Sequence, residues 1–459
     1  MLQSRHTQET QEPQTRTGRG DAGFATTSLH QGYAPNQHID ASAVPIYATA
    51  AYDLWNTDRG YRVANGKEPG AHLYSRAANP TTDVLESRLA ALDGGVAAVA
   101  FGSGMGALSS ALLNLADHGG RIVTTRDLYG GTFDLLSDLL PAFGVGVDYV
   151  DKLDDAAELA SAIGHDTRAV FAETVSNPTN RIVDLDTVSS VAHGKGVAVI
   201  VDNTLPTPYL YRPIEHGADV VVYSTTKSIN GHGTAVGGAV VDAGNLDYGP
   251  ANAVEGHPRF PQFNEPQHTL RDEDGNALTF AQAAGSKAFS QRLRGKYLRL
   301  LGAAPGPFES FLTIQGLETL EVRLDREVAS TERIAAWLES HDHVVRVNYA
   351  GLPSHPDHAL ADRDFPRGVG TVLSFDLEGS QEQLDAFIDA TTVFTYLTNI
   401  GDAKSLIVNP SRTTHREFGP GHQRSIGVTP TTVRLSIGLE EADDLIADLE
   451  RGFAAAYGD

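Results

Sequence analysis

The residues of this chain best suited to chemistry stand at the ends of short apolar runs. Gly102-Ser-Gly-Met-Gly-Ala107 follows Val96–Phe101 and opens a helix-like stretch to Leu115. Free amides at a helix N-terminus bind anions, so the turn is a candidate phosphate site; a plain tight turn between strand and helix would read the same way. It has neither the lysine nor the glycine spacing of ATP- and NAD-binding loops. Asp202, in Asp202-Asn-Thr204, closes the run Val197–Val201. A buried carboxylate needs a cationic or donating partner, or its pKa rises. A protonated pyridine nitrogen would be such a partner; the alternative is an aspartate that closes a turn ahead of Pro206. Lys227 follows Val220–Tyr223, in Ser224-Thr-Thr-Lys227-Ser-Ile-Asn-Gly-His-Gly233. Ser224 and Thr226 beside it can hold phosphate oxygens, and a lysine so placed can carry a carbonyl cofactor covalently.

Other candidates lie further off. Glu173-Thr-Val-Ser-Asn-Pro178 ends the run Ala169–Glu173. Tyr74-Ser-Arg76 falls in a segment with no obvious place in a sheet. Arg434, in Val433-Arg-Leu-Ser-Ile-Gly438, sits on a strand-like run, where a buried guanidinium would suit bidentate binding of an α-carboxylate. Taken singly, either arginine is more often a salt-bridge residue. His232 and His415 have no metal-ligand spacing and read as structural, so no metal is expected.

These residues need elements to position them. Apolar runs recur at Val96–Phe101, Arg121–Thr125, Gly146–Val150, Ala169–Glu173, Val197–Asp202, Val220–Ser224 and Val236–Val241. Amphipathic stretches such as Thr82–Leu92 and Asp184–His193 lie between them. That alternation predicts an α/β fold with a mostly parallel seven-stranded sheet covered on both faces, whose ligands lie beyond the carboxyl ends of the strands. Asn, His, Pro and Gly are frequent over 245–305, which reads as an insertion or connecting region. Phe311, Ile314, Leu317, Leu320 and Leu324 then form one apolar stripe at helical spacing, predicting a long helix that links two domains. Strand-like runs at Val344–Val347 and Thr371–Leu377, and a last helix with Leu445, Leu449 and Phe453 on one face, predict a smaller α+β domain. The expected division is a disordered tail over 1–22, an N-terminal arm over 23–72, a large domain over 73–305 with an insertion at about 245–300, and a small domain over 306–459.

Composition excludes several classes. None of the 459 residues is cysteine, which removes disulfides, thiolate nucleophiles and cysteine metal sites and fits a cytoplasmic location. No apolar run is long enough to span a bilayer, and the polar N-terminus lacks the core of a secretory signal. Against 58 acidic residues stand 35 basic ones, a net charge of −23, so a nucleic-acid partner is not expected. Only seven of the basic residues are lysine, and the acids are spread along the chain. Together these suggest a surface adapted to high salt, as in a halophilic cell; an ordinary acidic cytosolic protein is the plainer alternative.

In order along the chain, Tyr74-Ser-Arg76, Asn79-Pro-Thr81, Ser103-Gly-Met105, Leu128-Tyr-Gly-Gly131, Asn177-Pro178, Asp202-Asn-Thr204, Ser224-Thr-Thr-Lys227 and Arg434 resemble the Cys/Met-metabolism family of fold-type I pyridoxal-phosphate (PLP) enzymes, from Phe24 to the last helix. Gly231-His-Gly-Thr234, Gly316-Leu-Glu-Thr-Leu320, Phe260-Pro-Gln-Phe-Asn-Glu-Pro266, Asn399-Ile-Gly-Asp-Ala-Lys-Ser-Leu406 and Thr413-Thr-His415 resemble its O-acetylhomoserine sulfhydrylase branch. Asn409-Pro-Ser-Arg412 and Gly106 depart from that branch, where His-Pro-Ala-Ser and Ala are usual. The resemblance implies a transferase with PLP on Lys227, which also shuttles protons, and with Asp202 on the pyridine nitrogen. It implies phosphate binding by Ser103, Gly104, Met105, Ser224 and Thr226, with Tyr74 and Arg76 supplied by a neighbouring subunit of a homotetramer. It gives Tyr129 ring stacking and help with proton transfer, Asn177 the ring hydroxyl, and Arg434 with Ser405 the substrate carboxylate. The implied substrates are an O-acylated homoserine and sulfide or a small thiol such as methanethiol, giving homocysteine or methionine. Cystathionine γ-synthase and γ-lyase activities are the alternatives within the family, and a non-catalytic binding protein the alternative outside it.

Overall fold

A computed structural model describes residues 22–272, 274–416 and 418–458. The tail expected over 1–22 therefore lies, but for Ala22, outside the described residues. The seven apolar runs form strands β1 (Ala97–Phe101), β2 (Arg121–Thr124), β3 (Gly146–Tyr149), β4 (Thr167–Glu173), β5 (Ala198–Asp202), β6 (Val220–Tyr223) and β7 (Gly238–Asp242). They make one sheet in the order β1-β7-β6-β5-β4-β2-β3. All neighbours are parallel except β7, which runs antiparallel between β1 and β6.

Both faces of this sheet are buried, which is why its strands read as continuous apolar runs. Side chains alternate across it: Val170, Ala172, Val199 and Val201 join one core, and Ala169, Phe171, Ala198 and Ile200 the other. Helix Pro80–Asp93 covers the first face and helix Gly104–Ala116 the second. The region over 245–305 holds a two-residue ladder, β8 (Ala253–Val254) with β9 (His257–Pro258), and short helices. Its Phe260, Phe263, Phe280 and Phe289 are buried in the second core, so this insertion completes the wall over one face of the sheet.

A second sheet comprises β10 (Val344–Asn348), β11 (Val372–Leu377), β12 (Thr395–Tyr396), β13 (Leu406–Val408) and β14 (Thr432–Ser436), in the order β10-β11-β14-β13-β12. Helices Gln381–Ala390 and Ala442–Tyr457 pack on it through Leu384, Phe387, Leu445, Leu449 and Phe453. The long helix expected from the stripe at 311–324 is two helices, Pro307–Glu318 and Leu320–Glu339, broken at Thr319 with φ −116° and ψ 9°. The stripe survives the break, because Ile314, Leu317, Leu320 and Leu324 are all buried. Among the described residues no helix is long and apolar enough to cross a membrane.

Candidate active site

The ends of β1, β4, β5 and β6 meet at one edge of the large sheet, and a cavity of about 540 Å³ opens there. Ser103, Gly104, Met105, Tyr129, Asn177, Asp202, Ser224, Thr226, Lys227 and Arg434 all line it. Segments far apart in sequence thus converge on one space.

The floor is made by two turns in close approach. Ser103 caps helix Gly104–Ala116, its Oγ accepting the Gly106 amide at 3.0 Å. The amides of Gly104 and Met105 fall in the first turn, which has no intrahelical acceptors. A Cβ on Gly104 would lie 2.6 Å from the Ser224 Cβ, so only glycine lets the two turns meet. The Thr226 hydroxyl donates to the Gly237 carbonyl at 3.1 Å and accepts that residue's amide at 3.0 Å, which fixes the loop that bears Lys227. The amides of that first turn, facing Ser224, are suited to an anion such as phosphate.

Asp202 accepts the Thr204 amide at 2.9 Å. Burial first of all raises its carboxyl pKa, and the hydrogen bonds from Thr204 work against that rise. A cation placed against Asp202 would remove the cost of its burial. Lys227 reaches into the same cavity, and its Nζ donates to Asn399 Oδ1 at 2.5 Å. Burial, and then the charge of Arg434, lower the Lys227 amine to a pKa of about 8. A buried acid, a depressed amine and a turn suited to an anion around one cavity fit the pyridine nitrogen, aldehyde and phosphate of PLP.

Arg434, in the middle of β14, is buried, and burial lowers its pKa to about 10. It donates through Nη2 to the carbonyls of Thr398 and Asn399 at 2.9 and 3.2 Å, and through Nη1 to Asn177 Oδ1 at 3.4 Å. Its buried Nε makes no hydrogen bond among the described residues. The register explains how the two sheets bring these residues together. Ser374 pairs with Arg434 across β11 and β14, and donates to the Pro178 carbonyl at 2.8 Å. Asn180 donates to the Val372 carbonyl at 2.7 Å. The loop that carries Asn177 is thereby tied to the strands that carry Arg434.

The candidates Ser405, Tyr74 and Arg76, and the structural His415, lie outside the cavity wall. The hydroxyl of Ser405 is buried, donating to Glu440 at 2.7 Å and accepting the Gly438 amide at 2.9 Å, so in this structure it anchors the loop that follows Asn399. Tyr74 is 46% exposed, and Arg76 donates to the Arg299 carbonyl. Neither lines the cavity of its own chain. His415 is buried behind the wall, where Thr414 bonds its Nδ1 at 2.9 Å. Thr398, Asn399, Thr413, Thr414 and Glu173 do line the cavity, although sequence reasoning assigned them no role. Asn399 opens the stretch Asn399–Leu406, but its type alone does not indicate which side chain it meets.

Residues 25–454 match the family described as Cys/Met metabolism PLP-dependent enzymes. The chain belongs to that family: it is a PLP-dependent enzyme of fold type I. It is 41% identical over 434 residues to homocysteine synthase of Schizosaccharomyces pombe, covering 94% of this chain and 98% of that one. Against O-acetyl-L-homoserine sulfhydrylase of Leptospira meyeri the identity is again 41%, over 93% of this chain and 95% of the relative. A crystal structure from Campylobacter jejuni, described as an O-acetylhomoserine (thiol)-lyase and bearing a pyridoxyl-lysine, superposes with a TM-score of 0.87 at 36% identity, covering 94% of this chain and all of that one. A cystathionine γ-synthase from Xanthomonas oryzae superposes with a TM-score of 0.80 at 32% identity, covering 95% of this chain and 99% of that one.

Proposed function

We propose that this enzyme is an O-acetylhomoserine sulfhydrylase, replacing the acetate of O-acetyl-L-homoserine by sulfide or methanethiol to give homocysteine or methionine. The observation that carries the reading is the convergence of Lys227, Asp202 and Arg434 on one cavity, in a chain 41% and 40% identical to two enzymes of that name. PLP, when bound, supplies an electron sink conjugated with the substrate's Cα. Lys227 would carry it, with Asp202 at the ring nitrogen, the turns at Gly104–Met105 and Ser224–Thr226 at the phosphate, Asn177 at the ring hydroxyl and Tyr129 over the ring.

The rest follows from the chain's own groups. Arg434, buried in the cavity wall, is the guanidinium placed to receive the α-carboxylate of the substrate. That contact directs the Cα–H bond toward the Lys227 amine. The amine accepts the Cα proton, and a pKa of about 8 leaves part of it neutral at physiological pH. Asn399 holds the amine, so that it can also exchange a proton at Cβ as acetate leaves Cγ. Met105, Leu108, Val236 and Ile400 give the cavity an apolar wall that limits access of water to the acceptor before the thiol adds.

Tyr74 and Arg76 belong, in this reading, to the site of a neighbouring subunit, which makes the enzyme at least a dimer and on the family pattern a homotetramer. The boundaries 73–305 and 306–459 are taken as those of the PLP-binding and small domains. The acid excess supports a cytoplasmic enzyme working at high salt. The test is a product assay of the holoenzyme in molar potassium chloride with O-acetylhomoserine and sulfide. Homocysteine and acetate in equal amounts are expected; 2-oxobutyrate and ammonia as the main products would reassign the enzyme as a γ-lyase.

A further inference from the structure

One carboxylate in the cavity wall has no part in the chemistry described so far. Glu173 ends β4, and in register beside it on β5 is Asp202. Side chains so paired on parallel strands share a face and lie about 5 Å apart. Asp202 has a clear task opposite a ring cation; a second carboxylate beside it costs repulsion and desolvation. Burial, and next to it the charge of Asp202, push the Glu173 carboxyl well above the ordinary range. Asp127, on the loop after β2, adds a smaller repulsion, and Asp134, Lys227, Arg416 and Arg434 share the cavity wall with it. An expensive group of this kind is retained where it makes a contact that nothing else can.

That contact is with Tyr129. Glu173 Oε1 accepts the Tyr129 backbone amide at 2.7 Å. Tyr129 stands at the entrance to the short helix Gly130–Asp134, so its amide has no acceptor within that helix. Its ring folds back over Gly131, where a Cβ would lie 2.8 Å from the ring and 3.6 Å from Met105 Sδ. Backbone anchor and glycine together determine where the ring projects over the mouth of the cavity.

We infer that Glu173 is a positioning residue: by accepting the Tyr129 amide it holds the aromatic ring over the cofactor. The inference rests on the proposed stacking of Tyr129, so the test separates the two. The readout is the circular dichroism of the cofactor's visible band in the fully loaded enzyme, which follows the tilt of the bound ring and does not depend on turnover. Glu173→Ala removes the acceptor and is expected to abolish most of that dichroism and weaken cofactor retention roughly tenfold, the scale of one lost hydrogen bond whose donor is left unmet. Glu173→Gln keeps an acceptor oxygen at the same reach and is expected to restore the dichroic band. Tyr129→Ala should lose the band as Glu173→Ala does, and the double variant should be no worse than Tyr129→Ala, because the two act through one contact. Should Glu173→Ala fail to fold, Glu173→Met keeps the length without an acceptor and takes its place. If Tyr129→Ala keeps the band, the stacking and the inference built on it both fall. If Tyr129→Ala loses it but the acceptor-free variant does not, the role of Glu173 alone is wrong. A Glu173→Gln enzyme as impaired as Glu173→Ala would also overturn the inference, since charge and not the tether would then be what matters.

Discussion

At the scale of single residues, this site works by putting groups where they lose their ordinary ionisation. Lys227 is an ordinary lysine until burial and Arg434 lower its amine to a pKa of about 8. The cofactor-free enzyme should therefore capture PLP at a rate that rises as pH passes through about 8, because only the neutral amine attacks an aldehyde. Stopped-flow absorbance would check this, and a midpoint near the ordinary lysine range would refute the depressed amine. Arg434 offers a planar fork in a buried setting, which lysine cannot imitate. Arg434→Ala and Arg434→Lys should both raise KM for the amino-acid substrate on the order of 100-fold, while leaving the KM for sulfide much less affected. Equal effects on both substrates would place the α-carboxylate elsewhere. Lys227 and Asp202 were legible in the sequence because each ends an apolar run, where parallel strands deliver side chains to the same edge. Asn399 was not, because it comes from a loop whose position is decided by a different sheet.

At the scale of elements, helix Leu320–Glu339 carries a cost. Glu327 is fully buried, and neither carboxylate oxygen has a hydrogen-bond partner among the described residues. Burial is the main cause that raises its pKa from 4.5 to about 8, with Arg323 opposing the rise and Asp402 and Glu440 adding to it. Between those two values the folded protein holds a proton that the unfolded chain has released, so stability falls as pH rises across the window. Glu327→Gln removes this dependence. Its melting temperature should match the parent near pH 4 and exceed it by a margin that widens up to about pH 8 and then levels off; a gap independent of pH would sink the assignment. The same helix shows where periodicity misleads. The apolar stripe from 311 to 324 passes unbroken through Thr319, although the backbone there leaves the helix. A short break shifts the backbone without moving the stripe off the core, so hydrophobic spacing cannot report it. Likewise the run Val236–Val241 gave a strand but not its direction: β7 inserts antiparallel between β1 and β6, and a strand buried on both faces has the same composition either way.

At the scale of the whole molecule, the placement of Tyr74 and Arg76 outside their own chain's cavity makes a quantitative prediction. Neither Lys227→Ala nor Arg76→Ala should turn over alone if sites are shared between subunits. Unfolding and refolding the two together should restore about a quarter of the parent activity, since random pairing regenerates one intact site in four. Mixtures with no more activity than their parts would show each site to be complete in one chain. The net charge of −23 on 459 residues makes the compact state self-repelling at low ionic strength. Melting temperature should climb as potassium chloride is raised toward molar concentrations, and a flat profile would count against adaptation to salt.

What the sequence determined by itself was local and periodic: seven strands within about two residues of their ends, the helices between them, and the acid, amine and anion turn that follow specific strands. These were readable because burial on both faces and the 3.6-residue repeat act over a few neighbouring positions. Tertiary structure alone decided which distant loops meet. It tied the Asn177 loop to the strand of Arg434 through Ser374, closed Asn399 onto Lys227, and drew Ser405 away to Glu440. The first two contacts depend on the packing of two sheets whose residues lie more than a hundred positions apart, and no local pattern in a chain encodes a distance of that kind.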